Sequence, residues 1–146
     1  MSSLKVFDIA GSGMAAQNLR LNLVASNISN VDSVSSSINQ VYRSRQPVFA
    51  AQLQAAMGEK AQIGGEQGAG AAGVQVLGVV ESEAPPHLEY APDHPLANEE
   101  GYIFRSNVNT VEELTNMIAA SRAYQDNVEV ANTAKQLMLQ TLRMGQ

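Results

Sequence analysis

The run TVEELTNMIAASRAYQDNVEVANTAKQLMLQTLR, from Thr110 to Arg143, contains neither glycine nor proline. A stretch of that length, rich in strong helix formers, predicts one long α-helix. Thr110 followed by Glu113 reads as its capping box, hydroxyl and carboxylate each satisfying an orphan backbone donor of the first turn. At 100° per residue, Leu114, Met117, Tyr124, Val128, Ala131, Met138 and Leu142 share one face. Ala120, Ala123, Val130, Ala134, Leu137 and Met144 lie beside it, and Arg122, Gln125, Glu129, Thr133, Gln136 and Gln140 fill the remaining arc. The apolar arc covers about half the circumference or more, wider than the ~100° stripe with which a surface helix docks on one core. One partner helix cannot cover it, and packing between copies of the chain is the expectation.

The first thirty residues supply the only other long helix, predicted from about Ser3 to Asn30. Phe7, Met14, Leu21 and Ile28 recur every seven residues, with Ala10, Val24 and Val31 at the companion positions, an a/d stripe broken by Gln17. Gly11 and Gly13 inside it each cost about 1 kcal/mol relative to Ala, so this helix needs something packed on it.

Between the helices the composition changes. Ser33 to Ser37 reads as a polar breaker, and Gln40 to Gln54 as an extended segment or hairpin arm with Pro47 on an edge. Gly58 to Gly73 reads as a flexible Gly/Ala-rich loop, and Gly73 to Glu81 as a strand. Pro85, Pro86, Pro92 and Pro95 then enforce turns before a short strand at Tyr102 to Phe104. The fold class is therefore α+β, mainly α: long N- and C-terminal helices packed as a coiled-coil-like pair (1–34 and 107–146), with a small β-rich insert at 35–106.

Composition excludes several functions. The 146 residues carry a net charge of −5, which argues against nucleic acid or an anionic membrane as partner. Without cysteine there is no disulfide, thiolate nucleophile or Cys-based zinc site. No apolar run approaches the roughly 20 residues that span a bilayer, and Asp8, Gln17, Asn18, Arg20 and Asn22 interrupt any leader-like N-terminus. Gly11-Ser12-Gly13 is not a nucleophile elbow, and the glycines of 58–73 lack the Gly-Lys-Ser/Thr ending of a phosphate loop. His87, Glu89, Asp93 and His94 have metal-ligand chemistry but no ligand spacing, and read as polar turn residues. No catalytic, cofactor-binding or metal residue is expected. The acids between Glu81 and Glu100 read as a solvated face.

Ala25-Ser-Asn-Ile-Ser-Asn-Val31 resembles the Ala-x-Asn-Ile-Ala-Asn signature near the N-terminus of the bacterial flagellar axial proteins, the rod, hook and hook-associated group. Ser106 to Tyr124, SNVNTVEELTNMIAASRAY, is very similar to the paired C-terminal signature of that group. YRSRQPVF at 42–49 and YAPDHPLAN at 90–98, followed by Gly101-Tyr102, resemble its proximal-rod branch. The resemblance covers most of the chain outside the Gly-rich loop; Ser29 and Ser33 depart from the usual Ala and Thr. It marks Asn27, Ile28, Asn30, Glu113, Arg122 and Tyr124 as motif residues. Asn27 and Asn30 serve either as local caps or to fix the helix end to its neighbours.

The resemblance implies a non-enzymatic subunit of the basal-body rod, the drive shaft crossing the periplasm. It implies terminal helices packed around a central channel with the insert outside, and delivery by the flagellar type III export apparatus without a cleaved signal peptide. The expected partners are further copies of the chain and other rod proteins, with no nucleic acid and no membrane insertion. The assembly interface is expected at Phe7, Met14, Leu21, Val24 and Ile28 of the first helix and at Leu114, Met117, Tyr124, Val128, Ala131, Met138 and Leu142 of the second. An alternative from the same residues is a secreted or cytoplasmic helical adaptor that binds another partner through these helices.

Overall fold

The heptad-spaced N-terminal segment folds as α1 (Ser3–Ser29) and the glycine-free C-terminal run as α2 (Thr110–Met144) in the computed structural model, which describes residues 3–53 and 71–145. Lengths of 27 and 35 residues make them about 40 and 52 Å long. The helices pack against each other. Arg20 Nη2 donates to Asn116 Oδ1 at 3.1 Å, Gly13 faces Asn127, and Val6 shares a groove with Ala134. As numbers fall along α1 they rise along α2, so the pair is antiparallel.

Small residues form the seam. Ala10, Gly13, Ala16 and Val24 of α1 are buried, as are Ala120 and Ala134 of α2. The larger members of the N-terminal stripe, Phe7, Met14, Leu21 and Ile28, are half-buried. Seam side chains set the distance between helix axes, and at Gly13 a side chain of the partner helix fills the space a Cβ would need. A Cβ there would lie 2.9 Å from Asn127 Nδ2 and 3.1 Å from its Cγ, whereas one on Gly11 would meet nothing within 4 Å. Asn127 is held in place by donating to its own helix at Ala123 O, 2.9 Å away.

The start of α2 differs from the expected capping box. Asn109 is the N-cap, its Oδ1 accepting from Val111 N at 3.1 Å and Glu112 N at 3.5 Å, and Thr110 is already helical. Glu113 cannot reach back to the cap because its carboxylate turns inward, where Ser44 holds it.

The connection between the helices contains two antiparallel sheets. β2 (Arg45–Leu53) and β3 (Ala71–Glu81) pair from Arg45↔Glu81 to Leu53↔Ala71, with register shifts after Val48 and Ala51. Pro47 is tolerated because each strand of a two-stranded ribbon has a free edge. This ribbon packs on α1. The second sheet has the order β1 (Val34–Ser35), β5 (Tyr102–Arg105), β4 (His87–Tyr90). β1 lies in the stretch expected to be only a breaker, and β4 lies among the prolines expected to give only turns. Positions 58–70 of the expected Gly-rich loop lie outside the described residues, and residues 71–73 belong to β3. The link from β4 to β5 closes on Gly101 at φ 82°, where a Cβ would come within 3.0 Å of the Tyr90 ring. Asn98 Oδ1 accepts from Glu100 N and Tyr102 N there, and His94 Nδ1 accepts from Leu96 N.

The two helical glycines should respond oppositely to alanine. Gly11→Ala should stabilise the purified chain by up to about 1 kcal/mol through helix propensity alone. Gly13→Ala must displace Asn127 and should be less stable than Gly11→Ala by about 1 kcal/mol or more. Thermal unfolding decides it: an Asn127→Ala background should abolish most of the difference, and equal stabilisation by both substitutions in the native background would mean that the seam is not closed at Gly13.

Candidate assembly surface and the polar junction beneath it

The end of α1 brings Asn27 against the chain entering β2 and the first turn of α2. Among the described residues Asn27 is the largest fully buried side chain, at 0% exposure. Its amide makes four hydrogen bonds, the full capacity of the group. Oδ1 accepts from Tyr42 Oη at 2.8 Å and Arg45 N at 2.9 Å, while Nδ2 donates to Arg45 O at 2.9 Å and Ser44 Oγ at 3.3 Å. Ser44 Oγ in turn donates to Glu113 Oε1 at 3.3 Å. Ser44 N donates to Asn107 Oδ1 at 2.8 Å, Asn107 Nδ2 donates to Ala84 O at 2.9 Å, and Ser82 N donates to Ser44 O at 2.8 Å. Four chain segments thus meet in one network, and the nearby Val41, Ile103 and Val108 are buried apolar residues of the insert and its exit.

Of the six motif residues, Asn27 and Glu113 are brought together here, and the others are not. Asn30 donates locally to Ser26 O at 2.8 Å, which is a capping role. Ile28 and Tyr124 are half-buried, and Arg122 is exposed. Tyr42, Ser44 and Asn107 carry the junction; they lie in the stretches 42–49 and 106–124 quoted for their resemblance, but sequence reasoning gave none of them this role. A further signal is that polar residues adjoin Val41, Val108 and the start of β2, where the chain must pass between two helix ends.

From this junction the apolar surface runs along α2. Val24, expected at the assembly interface, is 4% exposed and is covered by its own chain. Met117, Tyr124, Val128, Ala131 and Met138 are half-buried, while Leu114 and Leu142 are exposed. Val111, Ile118 and Leu139 are also exposed, at 73, 57 and 47%, and belong to none of the arcs assigned from sequence. α2 therefore presents apolar side chains on more than one side after α1 has docked.

Charge does little to cover that surface. The ion pairs among the described residues are Arg45–Glu81 at 3.1 Å, Arg105–Glu89 at 3.1 Å and Arg105–Asp32 at 3.6 Å, all partly solvated and worth less than about 1 kcal/mol each. Among the described residues no group of three His, Cys, Asp or Glu could hold a metal ion, and no helix is long and apolar enough to cross a membrane.

Removing the Asn27 amide takes the side-chain partner from both the Arg45 N–H and the Arg45 carbonyl, while the Tyr42 hydroxyl keeps Ser26 Oγ at 3.2 Å. Asn27→Ala should cost about 2–4 kcal/mol in urea unfolding of the purified chain, and Asn30→Ala less than about 1 kcal/mol. Comparable losses from both would reduce Asn27 to a local cap.

Comparison with known proteins bears on the whole chain. Residues 7–35 match the family model described as "Flagella basal body rod protein", and residues 99–144 match "Flagellar basal body rod FlgEFG protein C-terminal". The chain is 47% identical to the flagellar basal-body rod protein FlgC of Escherichia coli O6:H1 and 46% identical to that of Salmonella typhimurium, each alignment covering 100% of both chains. It is 32% identical to FlgC of Borreliella burgdorferi, over 100% of this chain and 99% of the relative. The helices and junction described above lie within this full-length similarity, and the chain belongs to the FlgC family of flagellar basal-body rod proteins.

Proposed function

We propose that the chain is a structural, non-enzymatic subunit of the bacterial flagellar basal-body rod. It assembles with further copies of itself and with other rod proteins through its terminal helices, and it transmits torque across the periplasm. The observation that carries this reading is the unpaired apolar surface of α2. Its buried positions are confined to Glu113, Ala120 and Ala134, while Leu137, Leu142 and Met144 stay 59, 69 and 85% exposed. Burying a leucine fully stabilises by about 1.5–3 kcal/mol, so each such residue covered by a neighbour contributes to a stiff assembly. The full-length similarity to rod proteins supports the rod over a helical adaptor.

In this reading residues 1–34 and 107–146 form the rod core, and residues 35–106 form an insert held outside it. Phe7, Met14, Leu21 and Ile28, with Leu114, Met117, Tyr124, Val128, Ala131, Met138 and Leu142, complete their burial against neighbouring subunits. The chain reaches the rod through the flagellar type III export apparatus.

An acidic side chain in such an interface costs several kcal/mol per site, repeated in every subunit. Met138→Asp and Leu21→Asp should therefore abolish swimming and leave basal bodies without a completed rod, with the variants still made and exported. Gln125→Asp, on the polar arc, should swim normally. Motility assays with purified basal bodies check this, and swimming cells carrying either stripe variant would contradict the interface.

A further inference from the structure

On α2, opposite the N-terminal turns of α1, lies a groove of about 480 Å³. Val6, Val130, Ala134 and Leu137 give it an apolar lining, and Asp126 and Glu129 place two exposed carboxylates on it. Its volume is roughly three times the ~150 Å³ cavity that holds a benzene ring, room for more than one aliphatic side chain. The pairings Gly13 with Asn127 and Val6 with Ala134 set a register in which Ser3 stands opposite Leu137. Beyond Leu137, α2 has no turn of α1 opposite it among the described residues.

Those last turns carry complementary chemistry. Lys135, Leu139, Leu142 and Arg143 follow an i, i+4, i+7, i+8 spacing and share one face. Leu139 and Leu142 are exposed apolar anchors flanked by two exposed cations. None of Asp126, Glu129, Lys135 and Arg143 takes part in an ion pair among the described residues. At 100° per residue, this basic and apolar face points away from the groove face of the same helix, so the tail cannot fold back into its own groove. It can reach the groove of another molecule.

We propose that the C-terminal turns of α2 from one copy seat in the groove of a second copy, with Leu139 and Leu142 on its apolar lining and Lys135 and Arg143 against Asp126 and Glu129. This rests on the rod reading and deepens it by naming the two surfaces that meet. Donor and acceptor are different surfaces on opposite sides of one helix, so each copy gives and receives at once. Such a heterologous contact extends through successive copies, as a ring where its rotation closes and as an open helical assembly where it does not, and never as an isologous pair.

Because the natural chain has no cysteine, introduced thiols report the contact cleanly. Thr133→Cys places a thiol at the groove and Leu139→Cys places one on the tail. The chain carrying both should give a disulfide-linked ladder on mild oxidation, in purified basal bodies and in concentrated purified protein, and each single variant should give less than a tenth of it. In the double-cysteine chain, Asp126→Lys with Glu129→Lys should reduce the ladder at least tenfold, and adding Lys135→Glu with Arg143→Glu should restore it to within about threefold. Basal bodies that contain the chain but yield no ladder overturn the groove contact and leave the rod reading standing. A ladder in purified protein with the unmodified chain missing from basal bodies overturns the rod reading and leaves the contact standing. A disulfide joining the Thr133→Cys position to a different protein, or a charge exchange that fails to restore the ladder, overturns the second copy as occupant.

Discussion

The buried amide of Asn27 ties the end of α1 to the chain entering β2 and, through Ser44, to the first turn of α2. A seam of alanine, glycine and valine attracts two helices but discriminates weakly between neighbouring registers, because small side chains present similar surfaces from turn to turn. Asn27 removes that freedom. Its four partners lie on one short stretch, Tyr42 to Arg45, and through Ser44 they reach Glu113 at the start of α2. Sliding α1 by a turn would leave a fully buried amide without its partners at 42–45, and sliding α2 would take the Ser44 donor from a buried carboxylate, each a cost of about 1–3 kcal/mol or more. Buried polar groups that set register in this way are well attested in coiled coils.

With the register set at one end, the seam can be thin. The buried apolar residues described are Ala10, Ala16, Val24, Val41, Ile103, Val108, Ala120 and Ala134, a small core for a chain of this length. The larger aliphatic side chains lie on the flanks of the pair or on the outer faces of α2. A monomer with this arrangement leaves much of its apolar surface wet, an unfavourable condition that assembly relieves. The division of labour is spatial: polar groups near residues 27, 44 and 113 hold the subunit in shape, and apolar groups toward the end of α2 are left for neighbours.

Both long helices were legible from sequence almost to the residue, because seven-residue spacing and the absence of helix breakers are strong signals. Other features were hidden for identifiable reasons. β4 is exposed along its whole length, so no alternation of apolar and polar residues betrays it; it exists by pairing with β5. Asn109 and Thr110 are adjacent and both suited to capping. The choice between them falls to Asn109 because Ser44, more than sixty residues away in sequence, claims the Glu113 carboxylate. Gly13 looked like a defect in a helix, and its reason is Asn127 on the partner helix. The Asn27 motif and the stretch at 42–49 could each be recognised by resemblance, but their pairing could not, since a sequence does not say which polar stretch a helix end will meet.

One part of this subunit is complete in itself and another is completed by its neighbours. Amide hydrogen exchange, measured on the dilute purified chain and again on the chain within isolated basal bodies, separates the two. Exchange should be slow at residues 24–27, 103–108 and 113–120 in both states. Over 135–144 it should be fast in the dilute chain and slow in the rod. Protection of 135–144 in the dilute chain equal to that around Asn27 would mean instead that the outer end of α2 is already part of a finished monomer.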